Sequence, residues 1–429
     1  MAPATTSSFF PRFLLLSLCL FWGYAVEAKS ETSVTVQLSS LLPSPVCTPS
    51  THGNIISARV DSIQSKLSKN SGRADNVKQT DAANLPAKDV GLGSPKKELS
   101  LIFDTGSDLT WTQCQPCAKS CYQQKEPIFD PRVSNTYANI SCSSTLCNAL
   151  TSATGNAPSC ASSTCVYGIQ YGDSSFSVGF FAKDTISLTP TEVFPGFLFG
   201  CGENNKGLYG GAAGLLGLGR DQISVVSQTA TKYNKLFSYC LPSSPSSTGF
   251  LTFGNGGGVS KSVQFTPLST VSKGSSFYGL DITGISVGGQ KLPIQPLVFS
   301  SAGAIIDSGT VISRLPPDAY SSLRTAFRQK MSKYPTAPAL SILDTCYDLS
   351  KYTTFSVPTI SFSFSGGVVV NLEVRGIFYV NSQSQVCLAF ASNSDASDVA
   401  IFGNVQQKTL EVVYDAAGGR VGFAPKGCA

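Results

Sequence analysis

Two short stretches of this chain repeat one another. Ser100–Leu109 (SLIFDTGSDL) and Gly303–Ile312 (GAIIDSGTVI) each carry an apolar strand into Asp, then Thr or Ser, then Gly, then Ser or Thr. Each half follows with an apolar pair and Gly, Leu215-Leu216-Gly217 in one and Ile401-Phe402-Gly403 in the other. Such an echo predicts one structural unit used twice, once per lobe. From Val90 onward, short runs rich in Val, Ile, Phe, Tyr, Ser and Thr alternate with Gly, Pro and Asn, a β-dominated pattern. Helical spacing is confined to Asp318–Met331 and the region of Ser224–Tyr233. About 340 residues exceed one comfortable β core, so two lobes are expected, 90–241 and 242–429, with Pro242–Gly249 as the crossing.

The repeated text carries chemistry. An Asp ending a buried apolar strand is costly unless hydrogen-bonded. Thr105-Gly106-Ser107 and Ser308-Gly309-Thr310 offer hydroxyls, backbone N–H donors and a Gly that permits a tight turn. If the halves meet about a pseudo-twofold axis, Asp104 and Asp307 converge. Two carboxylates that close share a proton, and one can activate a water while the other protonates the developing oxyanion.

Composition closes other routes. The one histidine among 429 residues is His52, in a Ser- and Pro-rich stretch near the amino end. If that stretch is removed on maturation, a Ser-His-Asp triad, a Cys-His pair and a His-ligated zinc site are all excluded. Charged residues are 13% of the chain, and the net charge of +5 is spread with no Lys/Arg run, so nucleic acid is not an expected partner. No cofactor and no metal are expected.

Phe13–Val26 is an apolar run preceded by Arg12 and followed by the small-x-small site Val26-Glu27-Ala28, which reads as a signal peptide over 1–28. A helix of that length spans about 21 Å, short of a bilayer core of roughly 30 Å. No later segment reads as a membrane span. Residues 29–89 form a polar, propeptide-like segment with one helical signature, Val60, Ile63 and Leu67. These features predict passage through the secretory pathway to the extracellular space or a vacuole.

Beyond that segment lie twelve cysteines: Cys114, Cys117, Cys121, Cys142, Cys147, Cys160, Cys165, Cys201, Cys240, Cys346, Cys387 and Cys428. An even dozen in a secreted chain predicts six disulfides. Cys114-x-x-Cys117 could open a metal or redox site, but no second pair completes a ligand set. Nine of the twelve precede Pro242, so full internal pairing forces at least one bridge between the lobes, with Cys428 the expected partner of a first-lobe thiol such as Cys240. Asn139-Ile140-Ser141 is the sole N-glycosylation sequon.

FDTGSDLTW, AIIDSGT, the two apolar-apolar-Gly elements and VVYDAAGGRVGFAP together resemble the pepsin-like aspartic proteases. The Cys-rich stretch Cys114–Cys165 is similar to the insertion of the plant nepenthesin-type subgroup. The resemblance implies a bilobal acid-protease fold with a cleft between pseudo-symmetric β lobes, acting on polypeptide substrates as a monomer. Carried over by residue, Asp104 and Asp307 match the catalytic pair, and Ser107 and Thr310 the hydroxyls on their outer oxygens. Thr105 and Ser308 match the hydroxyls that lock the two loops together. Tyr171 matches the flap tyrosine, in a hairpin Val166–Phe181 that turns at Gly172-Asp173-Ser174, and Trp111 matches the residue supporting it. The family places Gly where Ser174 stands. It also begins the mature domain with an aromatic-rich strand before a Gly-[ST]-Pro turn. Here the turn is Gly93-Ser94-Pro95, but Pro86 is poor strand material, so that strand is expected to be missing. A silent binding or inhibitor protein on the same fold is the competing reading, and both intact Asp motifs argue against it.

Overall fold

The computed structural model describes residues 33–37, 86–171, 174–207, 209–243, 249–255, 259–269 and 276–428. The signal-like segment, His52 and the Val60/Ile63/Leu67 pattern lie outside the described residues. Among the described residues, no helix is long and apolar enough to cross a membrane.

The duplicated text builds the same strand arrangement twice. In the first half, strand Lys97–Asp104 lies parallel to Gly214–Gly217, with Gly217 level with Asp104, and Trp111–Gln113 runs antiparallel to Gly214 and Leu215. In the second half, Ala304–Ile306 lies parallel to Ala400–Phe402, and Arg314 of strand Ser313–Leu315 pairs antiparallel with Ile401. Leu99, Leu101, Ile102, Ile305 and Ile306 are all buried. Continuous apolar runs of this kind suit parallel pairing covered on both faces. Each Asp therefore sits at the carboxyl end of a buried strand, where backbone direction is fixed.

The first-half strand belongs to a nine-stranded sheet that also holds the long hairpin strands Thr164–Gln170, Phe176–Ser187 and Val193–Lys206. The second-half strand lies in a five-stranded sheet. Another five-stranded sheet draws Leu236–Cys240, Phe250–Phe253 and Gln264–Pro267 together with Glu411–Asp415 and Arg420–Ala424 from the carboxyl end. Ser33–Gln37 pairs antiparallel with Thr354–Pro358.

The helical spacing near Asp318 corresponds to helix Pro317–Lys330, which has Pro at its start, Asp318 in its first turn and Arg328 and Lys330 in its last. It buries Ala319, Tyr320, Leu323 and Phe327. The Ser224–Tyr233 region holds two single-turn helices, Val225–Gln228 and Ala230–Tyr233. Helix Thr145–Thr154 has no counterpart in the periodicity reading. Its signals were its ends: Ser144 accepts from the Leu146 N–H, and Gly155 terminates it at φ 75°.

The strand expected to be missing is present. Pro86–Leu92 pairs antiparallel with Lys97–Asp104, from Pro86 opposite Ile102 to Leu92 opposite Lys97. Pro86 opens the strand, where an absent N–H is tolerated, and a register shift between Ala87 and Val90 absorbs the irregular segment. Val90 and Leu92 are buried. A cavity of about 10 Å³ is lined by these two residues, Leu101, Trp111, Phe199 and neighbours.

All twelve cysteines pair: Cys114–Cys201, Cys117–Cys121, Cys142–Cys160, Cys147–Cys165, Cys240–Cys428 and Cys346–Cys387. Cys114 and Cys117 take different partners, so Cys-x-x-Cys acts here as two staples. Cys240–Cys428 closes a sequence separation of 188 residues, which in the chain-entropy picture stabilises by about 5 kcal/mol. It is also the one bridge spanning the Pro242–Gly249 segment. A chain nicked in that segment should therefore migrate as one species on a non-reducing gel and as two after reduction. Separation without reductant would contradict this connectivity.

Candidate active site

Each Asp is cradled by its own loop. The Asp104 Oδ1 accepts from the Gly106 N–H at 3.0 Å, and its Oδ2 accepts from the Ser107 hydroxyl. The Asp307 Oδ1 accepts from the Gly309 N–H at 2.9 Å, and its Oδ2 from the Thr310 hydroxyl at 2.5 Å. The matching cradle follows from matching local text, because Gly two residues on and a hydroxyl three residues on are the donors in both. Asp104 and Asp307 are each fully buried, where such donors offset the loss of water around the charged form.

The loops are joined to each other. The Thr105 N–H donates to Ser308 Oγ at 3.0 Å, and the Ser308 N–H donates to Thr105 Oγ1 at 2.9 Å. Residues 203 apart in sequence thus exchange two buried bonds. Gly106 reports the result. Its N–H binds the Asp104 carboxylate, while a side-chain carbon added to it would lie 2.6 Å from Asp307 Oδ1. Both carboxylates therefore crowd one residue, and no side chain larger than hydrogen fits between them. Two carboxyl groups so placed, with donors on their outer oxygens, can bind and polarise a water.

The backbone of the site is secured from below. The Leu218 N–H donates to the Asp104 carbonyl and the Asp307 N–H to the Phe402 carbonyl. This gives the two apolar-apolar-Gly elements a concrete role. Several contributors escaped the sequence reading. Asp108 is buried, its Oδ1 accepting from the Asp221 N–H at 2.9 Å and its Oδ2 from the Ser276 hydroxyl. Asn404 donates to the Ser308 carbonyl at 3.0 Å. Tyr239, Gln407 and Tyr414 lie beneath the loops. Their only sequence signal was their position in or beside buried strands.

Thr164–Gln170 and Phe176–Ser187 form the expected hairpin, with Gln170 opposite Phe176. Tyr171 follows the first strand, and its hydroxyl accepts from the Trp111 indole N–H at 2.8 Å. Trp111 packs edge-on against Tyr209, which packs against Tyr122 from the Cys-rich insertion. Burial pushes the Tyr122 phenol well above its ordinary range, with Tyr167 and Tyr171 adding to the effect. Gly172 and Asp173 lie outside the described residues. Asn139 of the sequon is exposed.

Ser174 adopts φ 63°, the left-handed region that favours Gly. This accounts for the residue type the fold otherwise prefers there. A left-handed non-glycine costs roughly 1–2 kcal/mol, partly offset by the greater chain entropy of Gly. Ser174→Gly should raise unfolding stability by roughly 0.5–1 kcal/mol in a denaturant titration. A loss of stability would show that the Ser side chain compensates for its backbone.

Residues 88–255 match the family described as "Xylanase inhibitor N-terminal" and 277–425 the one described as "Xylanase inhibitor C-terminal". An aspartyl protease family protein of Arabidopsis thaliana is 57% identical, covering 97% of this chain and 98% of its own. Aspartic proteinase nepenthesin-2 of Nepenthes gracilis is 37% identical over 86% of this chain and 83% of its own. The crystal structure of edgp superposes with a TM-score of 0.64 at 21% identity, covering 81% of this chain and 93% of that one, a likeness of fold. With these family matches and relatives, the chain belongs to the plant branch of the pepsin-like aspartic protease family that includes the nepenthesins.

Proposed function

We propose that the protein is a secreted aspartic endopeptidase that hydrolyses peptide bonds at acidic pH through Asp104, Asp307 and an activated water. The reading rests chiefly on the reciprocal Thr105–Ser308 bonds, which set two identically cradled carboxyl groups against Gly106. In this reaction one carboxylate removes a proton from water as its oxygen attacks the peptide carbonyl. The other carboxyl donates its proton to the forming oxyanion, and collapse of the tetrahedral species expels the amine with a proton from the pair. The dyad is restored. Like-charge repulsion keeps one proton on the pair across an acidic window, which sets the working pH. Tyr171, braced by Trp111, closes over substrate and excludes water.

Residues 1–28 then serve as a signal peptide and 29–89 as a propeptide, with 90–241 and 242–429 as the two catalytic lobes. The product reaches the extracellular space or a vacuole as a monomer. An inhibitor role has no need of two complete carboxylate cradles, whereas catalysis needs both.

The test is cleavage of a denatured protein between about pH 3 and 5, the range in which a dyad holds one proton. Asp104→Asn and Asp307→Asn should each lower kcat by about 10³-fold or more, since a positioned acid or base contributes roughly 10²–10⁴. Equal activity in wild type and both variants would remove the proposal.

A further inference from the structure

We infer that Tyr122, in the Cys-rich insertion, is a positioning residue for Tyr171: its ring sets Tyr209, Tyr209 sets Trp111, and the Trp111 indole N–H holds the Tyr171 hydroxyl. The inference rests on the endopeptidase reading for its effect on substrate, while the series of contacts stands on geometry.

Tyr122 is held by its backbone. The Gln113 side chain is fully buried and clasps Tyr122 at both ends, its Oε1 accepting from the Tyr122 N–H at 3.0 Å and its Nε2 donating to the Tyr122 carbonyl at 3.0 Å. The second Nε2 proton goes to Gln124 Oε1 at 2.7 Å, so both amide protons are spent. Gln113 and Trp111 share the three-residue strand Trp111–Gln113. The strand that presents the indole therefore also fixes the residue carrying the far ring. Cys117–Cys121 closes immediately before Tyr122, and the Asn205 N–H donates to the Ser120 carbonyl at 2.7 Å. The insertion is thus tied to Val193–Lys206, the strand that pairs with the hairpin strand Phe176–Ser187.

Tyr209 touches both of the other rings. Its centroid is 4.8 Å from that of Tyr122 and 5.1 Å from that of Trp111, with the latter pair crossing at 81°. The loop that carries it is bonded on both sides, the Lys125 N–H donating to the Gly211 carbonyl at 2.8 Å and the Gln113 N–H to the Ala213 carbonyl at 2.9 Å. Trp111 is fully buried, and its N–H reaches Tyr171 at 2.8 Å. Edge-to-face contacts favour one ring orientation over others, so the direction of the indole N–H depends on Tyr209 and, through it, on Tyr122.

The Tyr122 hydroxyl takes no part. It is buried and has no hydrogen-bond partner among the described residues, and a buried polar atom left unpaired is destabilising. The ring carries the role, and the oxygen can be removed without touching it.

Loss of an aromatic pair is worth up to about tenfold in an equilibrium, so Tyr122→Ala should raise KM about tenfold. It should leave kcat within about threefold, because Tyr171 holds substrate before and during reaction alike and the Asp loops are untouched. Tyr122→Phe should keep wild-type KM. A second readout needs no activity. Trp22 and Trp111 are the two tryptophans of the chain, so in a full-length Trp22→Phe background the fluorescence is that of Trp111 alone. Its emission should move to longer wavelength in Tyr122→Ala and stay in place in Tyr122→Phe. Tyr334→Ala is the control. It removes a buried ring that packs on Tyr352 and Phe355, and it should change neither KM nor emission. If Tyr122→Ala fails to fold, Tyr122→Leu keeps apolar bulk without the ring and carries the same expectations. The proposal is overturned if KM or the emission of the ring-deleted variant stays at the wild-type value, if Tyr122→Phe reproduces its losses, or if Tyr334→Ala does so. An emission shift confined to the ring-deleted variant, in a chain whose wild type cleaves nothing, would leave the coupling of Tyr122 to Trp111 standing and count against the protease reading.

Discussion

Two hydrogen bonds between residues 203 apart govern this molecule. Thr105 and Ser308 each give an N–H and take one back, and because both are buried, breaking either bond strands a polar group away from water, at about 1–3 kcal/mol each. The exchange sets the separation of the loops, and the separation sets how strongly the two carboxyl groups feel each other. Everything else can be read as support for that small distance. The parallel strand pairs aim each Asp, the apolar-apolar-Gly elements hold the backbone beneath, and Cys240–Cys428 staples the carboxyl end to the sheet that holds Leu236–Cys240 and Glu411–Asp415.

No histidine follows His52 in the chain, so a protease site built from the later residues must obtain a base and an acid from residues of one kind. Environment alone can divide the roles. The two cradles are near copies, so the asymmetry needed for catalysis cannot come from their donors. In the proposed reaction it would come from a shared proton and from groups that touch one loop and not the other. Gln407 is such a group, since it binds the Asp307 carbonyl.

The sequence disclosed what is local. Asp, Gly and hydroxyl at fixed spacing sufficed to name both cradles, since the donors lie within three residues of each carboxylate. Strands such as LSLIF, TISFSF and LEVVYD were legible from their β-branched and aromatic content. Pairing across the chain was not. Tyr414 was readable as a strand residue, but nothing near it in the chain indicates that its hydroxyl meets that of Tyr239. Helix Thr145–Thr154 escaped because its apolar face is small, built of Ala, Cys and Leu, and only its caps mark it. The Pro86 strand was misjudged by applying an interior rule to an end position, where proline loses nothing. The Cys240–Cys428 pairing came from parity, a global constraint that a one-dimensional reading can use.

The account turns on the closeness of Asp104 and Asp307, and proton uptake measures it directly. Carbon-13 NMR of aspartate-labelled protein, assigned by difference against Asp104→Asn and Asp307→Asn, would follow both carboxyls through an acid titration. Facing groups should take up their two protons in separate steps, each step moving both resonances, and either substitution should collapse the pattern to a single transition. Two independent transitions, each unaltered by replacing the other residue, would mean that the groups do not share a proton and would contradict the account.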